Sequence, residues 1–286
     1  MEPRKVELLW TLTDAVNVAT RRSIRIIEFI MIETDLGCEI NAVRHCTNAC
    51  VVCNHASTVH TEKYFMSPEV LKRDLDVMKN HLRTKLLFVQ GGEPLLHPKI
   101  VELMSLCYDS GIAKQCGVLT NGKLLPRMNN DFWEMLASRK MELRMSCYPD
   151  LDPSIVPFVQ DKAQQFGFFV RPQQINTFKP LFLKNDGSTY FGCPWRRCLT
   201  IHENYFYLCP LTCFFPKQFM GLPEHIDGIP IDGMTDEKLQ TFLNRETPLE
   251  TCKICAGARG ADIPWKQNKS KSEWLSEAGM TPELIA

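Results

Sequence analysis

Three cysteines, Cys46, Cys50 and Cys53, stand close together with the spacing CxxxCxxC. Thiolates this near in sequence can wrap one metal centre, but three of them leave a tetrahedral or cubane site one protein ligand short. A structural zinc site normally closes with four protein ligands, often from paired CxxC knuckles, and His45 or His55 could supply the fourth here. A [4Fe-4S] cluster held by three cysteines instead keeps one iron open to an exogenous group. Cys193, Cys198, Cys209 and Cys213 form a second group, and Cys252 and Cys255 a third. Cys38, Cys107, Cys116 and Cys147 stand alone in apolar segments and are expected to be buried packing residues, because a free cysteine behaves as a small hydrophobe.

The elements that must position the first group read as alternating strands and helices. An amphipathic leading helix over 5–21 is followed by a β-rich stretch over 24–33, and residues 38–46 then run into the first cysteines. Ser67 before Pro68 and Glu69 is a helix start. A buried strand over 85–90 ends at Gly91 and Gly92. The pattern repeats: helices over 98–110, 130–139 and 152–166, strands over 113–119, 141–148 and 168–175. Such alternation predicts parallel βαβ units, five or six of them, too few for a closed eight-unit barrel and enough for an open, partial one. Ligands of such sheets sit beyond the carboxyl ends of the strands. That rule gathers the cysteine loop, Gly91 to Glu93, Thr120 with Asn121, and Ser146 on one rim.

From about residue 185 the alternation stops. Residues 199–209 read as a hairpin turning at Glu203 and Asn204, and 216–250, rich in Pro, Gly and Asp, as loop with short extended pieces. The expected organisation is an N-terminal helix over 1–23, a core over 24–184 and a small C-terminal domain over 185–286.

Composition narrows the class. The chain has 286 residues, of which 44% are hydrophobic and 23% charged, so it is expected to fold. Lys and Arg number 33 and Asp and Glu 33, which removes any overall attraction to nucleic acid or anionic lipid. No run reaches the ~20 apolar residues of a membrane span, and the first ten residues lack a signal peptide's apolar core. A cytoplasmic location is expected, where 13 cysteines serve metal binding, catalysis and packing rather than disulfides.

Cys46, Cys50 and Cys53, the GGEP run of Gly91 to Pro94 and the TNG of Thr120 to Gly122 together resemble the radical S-adenosylmethionine (radical SAM) superfamily over roughly residues 24–180. Val52 departs from the family pattern, which usually places an aromatic residue before the third cysteine. The resemblance implies an α/β fold with a partial (β/α)6 barrel. It implies that the three cysteines hold a [4Fe-4S] cluster whose open iron chelates SAM. Gly91, Gly92 and Glu93 would then meet the methionyl amino group, and Asn121 and Ser146 the ribose or carboxylate. An electron from the cluster would cleave the S–C5′ bond and yield a 5′-deoxyadenosyl radical that takes a hydrogen atom from substrate.

Behind the core, a cysteine-bracketed hairpin joined to a distant CxxC resembles the SPASM or twitch type of auxiliary [4Fe-4S] domain, a small β-hairpin and helix module held by its metal. Asn204 takes the place of that module's usual Gly, and Asn tolerates the same left-handed turn. Cys209, Cys252 and Cys255 are the expected ligands, with Cys193 or Cys198 completing the set and Cys213 spare. A zinc-stabilised tail is the alternative, since thiolate spacing alone does not separate zinc from iron.

A short core with one auxiliary cluster resembles radical SAM dehydrogenases and epimerases of small alcohols. The expected substrate is a small polar molecule, a sugar, aminocyclitol or natural-product intermediate, and the expected reductant a flavodoxin or ferredoxin. Cys213 and Cys147 are candidate hydrogen donors for an epimerase, and Arg144 and Arg171 candidate anchors for an anionic group. A peptide-modifying maturase is the rival enzyme, and an electron carrier or scaffold the rival outside catalysis.

Overall fold

The computed structural model describes residues 31–60, 63–179, 190, 193, 198–255, 257 and 261–279. The expected leading helix and most of the 24–33 stretch lie outside the described residues. Strand β1 is Ile32–Val43, so the residues between that stretch and the cysteines are themselves strand. Alternation resumes as expected: α1 (Pro68–Met78), β2 (Leu82–Gly91), α2 (Ile100–Asp109), β3 (Ala113–Thr120), α3 (Asn130–Ser138), β4 (Glu142–Cys147), α4 (Ile155–Phe166) and β5 (Phe169–Gln174). Helix α1 starts where the sequence places it, with Ser67 Oγ accepting from the Val70 N–H at 3.2 Å.

Beyond β5 come β6 (Thr177–Phe178), β7 (Cys198–His202), β8 (Tyr205–Tyr207), α5 (Phe215–Met220), β9 (Ile229–Pro230), α6 (Asp236–Leu243), β10 (Ile263–Pro264) and α7 (Lys271–Glu277). The helices α5 and α6 fall in the stretch expected to be loop. The main sheet runs β5-β4-β3-β2-β1-β7-β8-β9. Its pairs from β5 to β7 are parallel, and β7-β8-β9 are antiparallel. This is a mostly parallel α/β sheet that does not close into a barrel. The hairpin β7–β8 extends this sheet, because β7 pairs with β1 from Gly37↔Cys198 to Ile40↔Ile201.

Register sorts the side chains. Ile40, Val89, Val118 and Leu143 stand side by side and pack into the main core with Leu71, Leu103 and Leu136. Glu39, Asn41 and Gln90 belong to the opposite face. A second core joins Val51, Val52 and Val59 of the cysteine loop to Tyr207, Phe215, Phe219 and Trp274.

Helix α1 also holds the hairpin turn. Glu203 and Asn204 are left-handed, with φ of 47° and 67°, the geometry that suits a tight hairpin. Asp74 accepts from the Asn204 N–H at 2.9 Å. Burial pushes the Asp74 carboxyl up to about 6 against the lowering effect of that N–H and of Arg73. An acid raised on folding favours the native state less as pH climbs from its unfolded value of about 4 through about 6. Asp74→Asn keeps an acceptor and removes the charge. Its melting temperature should gain on the wild type by about 2 to 4 °C between pH 4 and pH 7, and a constant difference across that range would contradict the assignment.

Candidate functional site

The carboxyl ends of β1 to β4 surround a cavity of about 430 Å³. Cys46, Cys50 and Cys53 line it together with Gly91, Gly92, Asn121 and Ser146. Of the residues expected on one rim, the cavity lining thus brings together the three cysteines, Gly91, Gly92, Thr120, Asn121 and Ser146, and leaves out Glu93. The volume falls within the range of small-molecule and cofactor sites.

Each of the three thiols meets hydrogen-bond donors. Asn121 Nδ2 donates to Cys46 Sγ at 3.5 Å and to Thr47 Oγ1 at 2.9 Å. Trp265 Nε1 donates to Cys50 Sγ at 3.2 Å. The Cys53 sulfur faces the backbone amides of His55, Ala56 and Ser57. Burial pushes the Cys46 thiol up to about 12, with the Glu93 carboxylate adding to it, and raises Cys50 and Cys53 as well. Metal ligation must therefore displace protons here. Among the described residues, no three His, Cys, Asp or Glu side chains gather tightly enough for a single ion. Soft thiolates that share one cavity suit a cluster that spreads its ligands over several irons. His45 packs edge-on against Phe65 at 5.0 Å and does not line the cavity, whereas His55 does.

The two glycines have a structural reason that the motif alone does not show. A Cβ on Gly91 would sit 2.3 Å from Val43 O, and one on Gly92 2.1 Å from His45 O. Gly92 N donates to Val43 O at 2.7 Å and Glu93 N to His45 O at 3.0 Å. These N–H groups therefore fasten the end of β2 to the strand that delivers Cys46. Glu93 is fully buried and absent from the cavity lining. Its carboxylate accepts from Thr120 Oγ1 at 2.6 Å, from Asn121 N at 2.9 Å and from Leu95 N at 3.1 Å. Burial still raises it to about 7. The geometry makes Glu93 the tie between β2 and β3 that presents Asn121.

Several expected site residues lie elsewhere. Cys147 alternates away from Ser146 into the main core, and Cys213 is buried in the second core with Asn41 Nδ2 donating to its sulfur at 3.7 Å. Neither lines the cavity, so the structure does not bring either expected hydrogen donor to the other expected site residues. Arg144 makes two 3.0 Å contacts to Glu142, and Arg171 a third. Both guanidiniums are thereby occupied by a carboxylate of the chain and stand outside the cavity lining.

Sequence reasoning missed three features. Glu39 lines the cavity, 8% exposed, and burial pushes its carboxyl up to about 8; its partner is Thr200 Oγ1 at 3.5 Å. Val52 holds φ 41°, an uncommon state for a β-branched residue, where it lines the cavity and packs in the second core. Residues 265–268 pair with the cysteine loop across more than two hundred positions, which no local motif announces.

Cys209 feels Cys255, Cys193 and Cys198 electrostatically, and Cys252 and Cys255 each feel Cys193. The structure thus brings five of the six later cysteines into one neighbourhood and leaves Cys213 outside. Cys198 also lines the main cavity.

Residues 40–139, which carry the three cysteines, both glycines and Asn121, match the family model of the radical SAM superfamily. No curated protein matches the chain. Among solved structures, anSMEcpe with bound AdoMet is similar at 15% identity and a TM-score of 0.51, over 87% of this chain and 98% of that one, a likeness of fold. BtrN in complex with AdoMet and 2-DOIA is similar at 12% identity and a TM-score of 0.49, over 76% and 85%. Streptococcus suis SuiB bound to S-adenosylmethionine is similar at 13% identity and 0.42, over 80% and 72%.

Proposed function

We propose that this protein is a radical SAM oxidoreductase or epimerase acting on a small polar substrate, a sugar, aminocyclitol or natural-product intermediate. The observation that carries the reading is the one cavity shared by Cys46, Cys50, Cys53, Gly91, Gly92, Asn121 and Ser146 at the strand ends of a sheet whose residues 40–139 match the radical SAM family model. Cys46, Cys50 and Cys53 would hold a [4Fe-4S] cluster, and Asn121 and Ser146 would meet SAM. When bound, that pair supplies reductive cleavage of the S–C5′ bond to a carbon radical. The chain contributes enclosure and orientation. Asn121 is fixed through Glu93 at the end of β3, Ser146 lines the cavity from β4, and Tyr148 and Phe178 line it as a stacked pair, 6.0 Å apart at 15°.

Cys193, Cys209, Cys252 and Cys255 form the set we infer for an auxiliary [4Fe-4S] cluster, supported by their mutual electrostatic reach. Cys198 then keeps its thiol on the cavity. A flavodoxin or ferredoxin would supply electrons. No described helix is long and apolar enough to cross a membrane. Anaerobically reconstituted protein given SAM and dithionite should release 5′-deoxyadenosine and carry the iron and sulfide of two four-iron clusters. Absence of that nucleoside from iron-replete protein would overturn the catalytic reading, and iron for one cluster alone would overturn the auxiliary one.

A further inference from the structure

Resting on that reading, we propose that Trp265 is a positioning residue that sets the reduction potential of the cluster held by Cys46, Cys50 and Cys53, through its indole N–H on the Cys50 sulfur. The segment that carries it is fastened to the cysteine loop on both sides of Cys50. Val51 N donates to Lys266 O at 2.9 Å, Asn268 N donates to Ala49 O at 2.7 Å, and Ala49 N donates to Gln267 Oε1 at 2.6 Å. Gln267 Nε2 in turn donates to Asp150 Oδ2 at 2.8 Å, and Lys123 pairs with the same carboxylate at 2.6 Å. The strap is therefore anchored to the ends of β3 and β4 as well as to the loop.

The ring is held as firmly as its backbone. Trp265 stacks on Tyr148 at 5.6 Å and 18°, and Tyr148 stacks on Phe178. Strand β10, immediately before Trp265, pairs with β6, and Trp265 N donates to Asn176 O at 2.8 Å. With its ring stacked on Tyr148 and its backbone N–H bound to Asn176, the indole presents Nε1 to Cys50 at 3.2 Å. Cys50 is 6% exposed, so water competes little for its sulfur.

Hydrogen bonds to cluster sulfurs are among the determinants of iron–sulfur potentials. The reduced cluster carries one more negative charge than the oxidised one, so an N–H directed at its thiolate stabilises the reduced form more. Removing that N–H makes the cluster harder to reduce.

Trp265→Phe keeps an aromatic face for Tyr148 and deletes the N–H. The readout is the midpoint potential of the first cluster in the full-length reconstituted protein without SAM, followed by electron paramagnetic resonance during a redox titration. The relevant signal is the one lost in Cys50→Ala. The expected result is a potential lower by about 59 mV, a tenfold change in the reduced-to-oxidised ratio for a one-electron couple, with wild-type iron content and an unmoved auxiliary signal. An unchanged potential with full iron content overturns the inference while leaving the radical SAM reading intact. A wild-type protein without a Cys50-dependent cluster overturns both. If Trp265→Phe loses iron, benzothienylalanine at position 265 retains the bicyclic stack without the N–H. The same drop there supports the inference, and no drop refutes it.

Discussion

Cys50→Ala should lower 5′-deoxyadenosine formation by about a thousandfold or more, a loss of at least roughly 4 kcal/mol of barrier lowering, while Cys255→Ala should retain cleavage. The contrast follows from placement. Cys50 lines the cavity with Cys46 and Cys53 and receives the Trp265 N–H, so its loss would take one ligand from the proposed cluster site, which has only three. Cys255 sits with Cys193, Cys209 and Cys252, away from the cavity lining. Its removal should cost iron from the proposed auxiliary cluster and any turnover that needs that cluster. Iron counting by Mössbauer spectroscopy alongside nucleoside release separates the two variants. Normal cleavage in Cys50→Ala would remove that cysteine from the ligand set, and loss of cleavage in Cys255→Ala at full first-cluster occupancy would make the later group part of the same chemistry.

The repeated strands and helices were legible because each turn of the pattern carries its own punctuation: Ser67 and Pro68 before α1, Gly91 and Gly92 after β2, Gly122 after β3. The first strand was legible only in part. In β1, Glu39 and Asn41 are buried on the face opposite the main core, Glu39 at the cavity and Asn41 against Cys213, and polar residues in a buried strand erase the apolar run that would mark it. Long-range pairing was not legible, for a different cause. The β7–β8 hairpin was visible from Glu203 and Asn204, but its parallel pairing with β1 joins Cys198 to Gly37, far apart in the sequence, and nothing in the local sequence encodes that partner. The strap at Trp265 is hidden for the same reason, because a single indole and three backbone groups carry no period.

The strained approach of β2 to the cysteine loop makes Gly92→Ala the most damaging single-methyl change we expect. The Cβ would fall 2.1 Å from His45 O and 2.6 Å from His45 C, both backbone atoms that have no rotamer through which to escape. Relief requires β2 to move from the loop, and that movement breaks the Gly92 N to Val43 O and Glu93 N to His45 O bonds together. Overpacking of about 1–3 kcal/mol added to two buried bonds of about 1 kcal/mol each gives a loss of roughly 3 to 5 kcal/mol. A comparison glycine makes the argument specific. Gly37 lies in β1 without left-handed geometry, and its Cβ would meet only Leu86 Cβ at 3.9 Å, an ordinary contact. Gly37→Ala should therefore change stability by less than about 1 kcal/mol. Urea denaturation of both apoproteins measures the difference directly. Because His45 precedes Cys46, Gly92→Ala should also impair iron incorporation at the first group, and a variant with wild-type stability and full iron would mean that the loop yields where the hydrogen bonds say it is pinned.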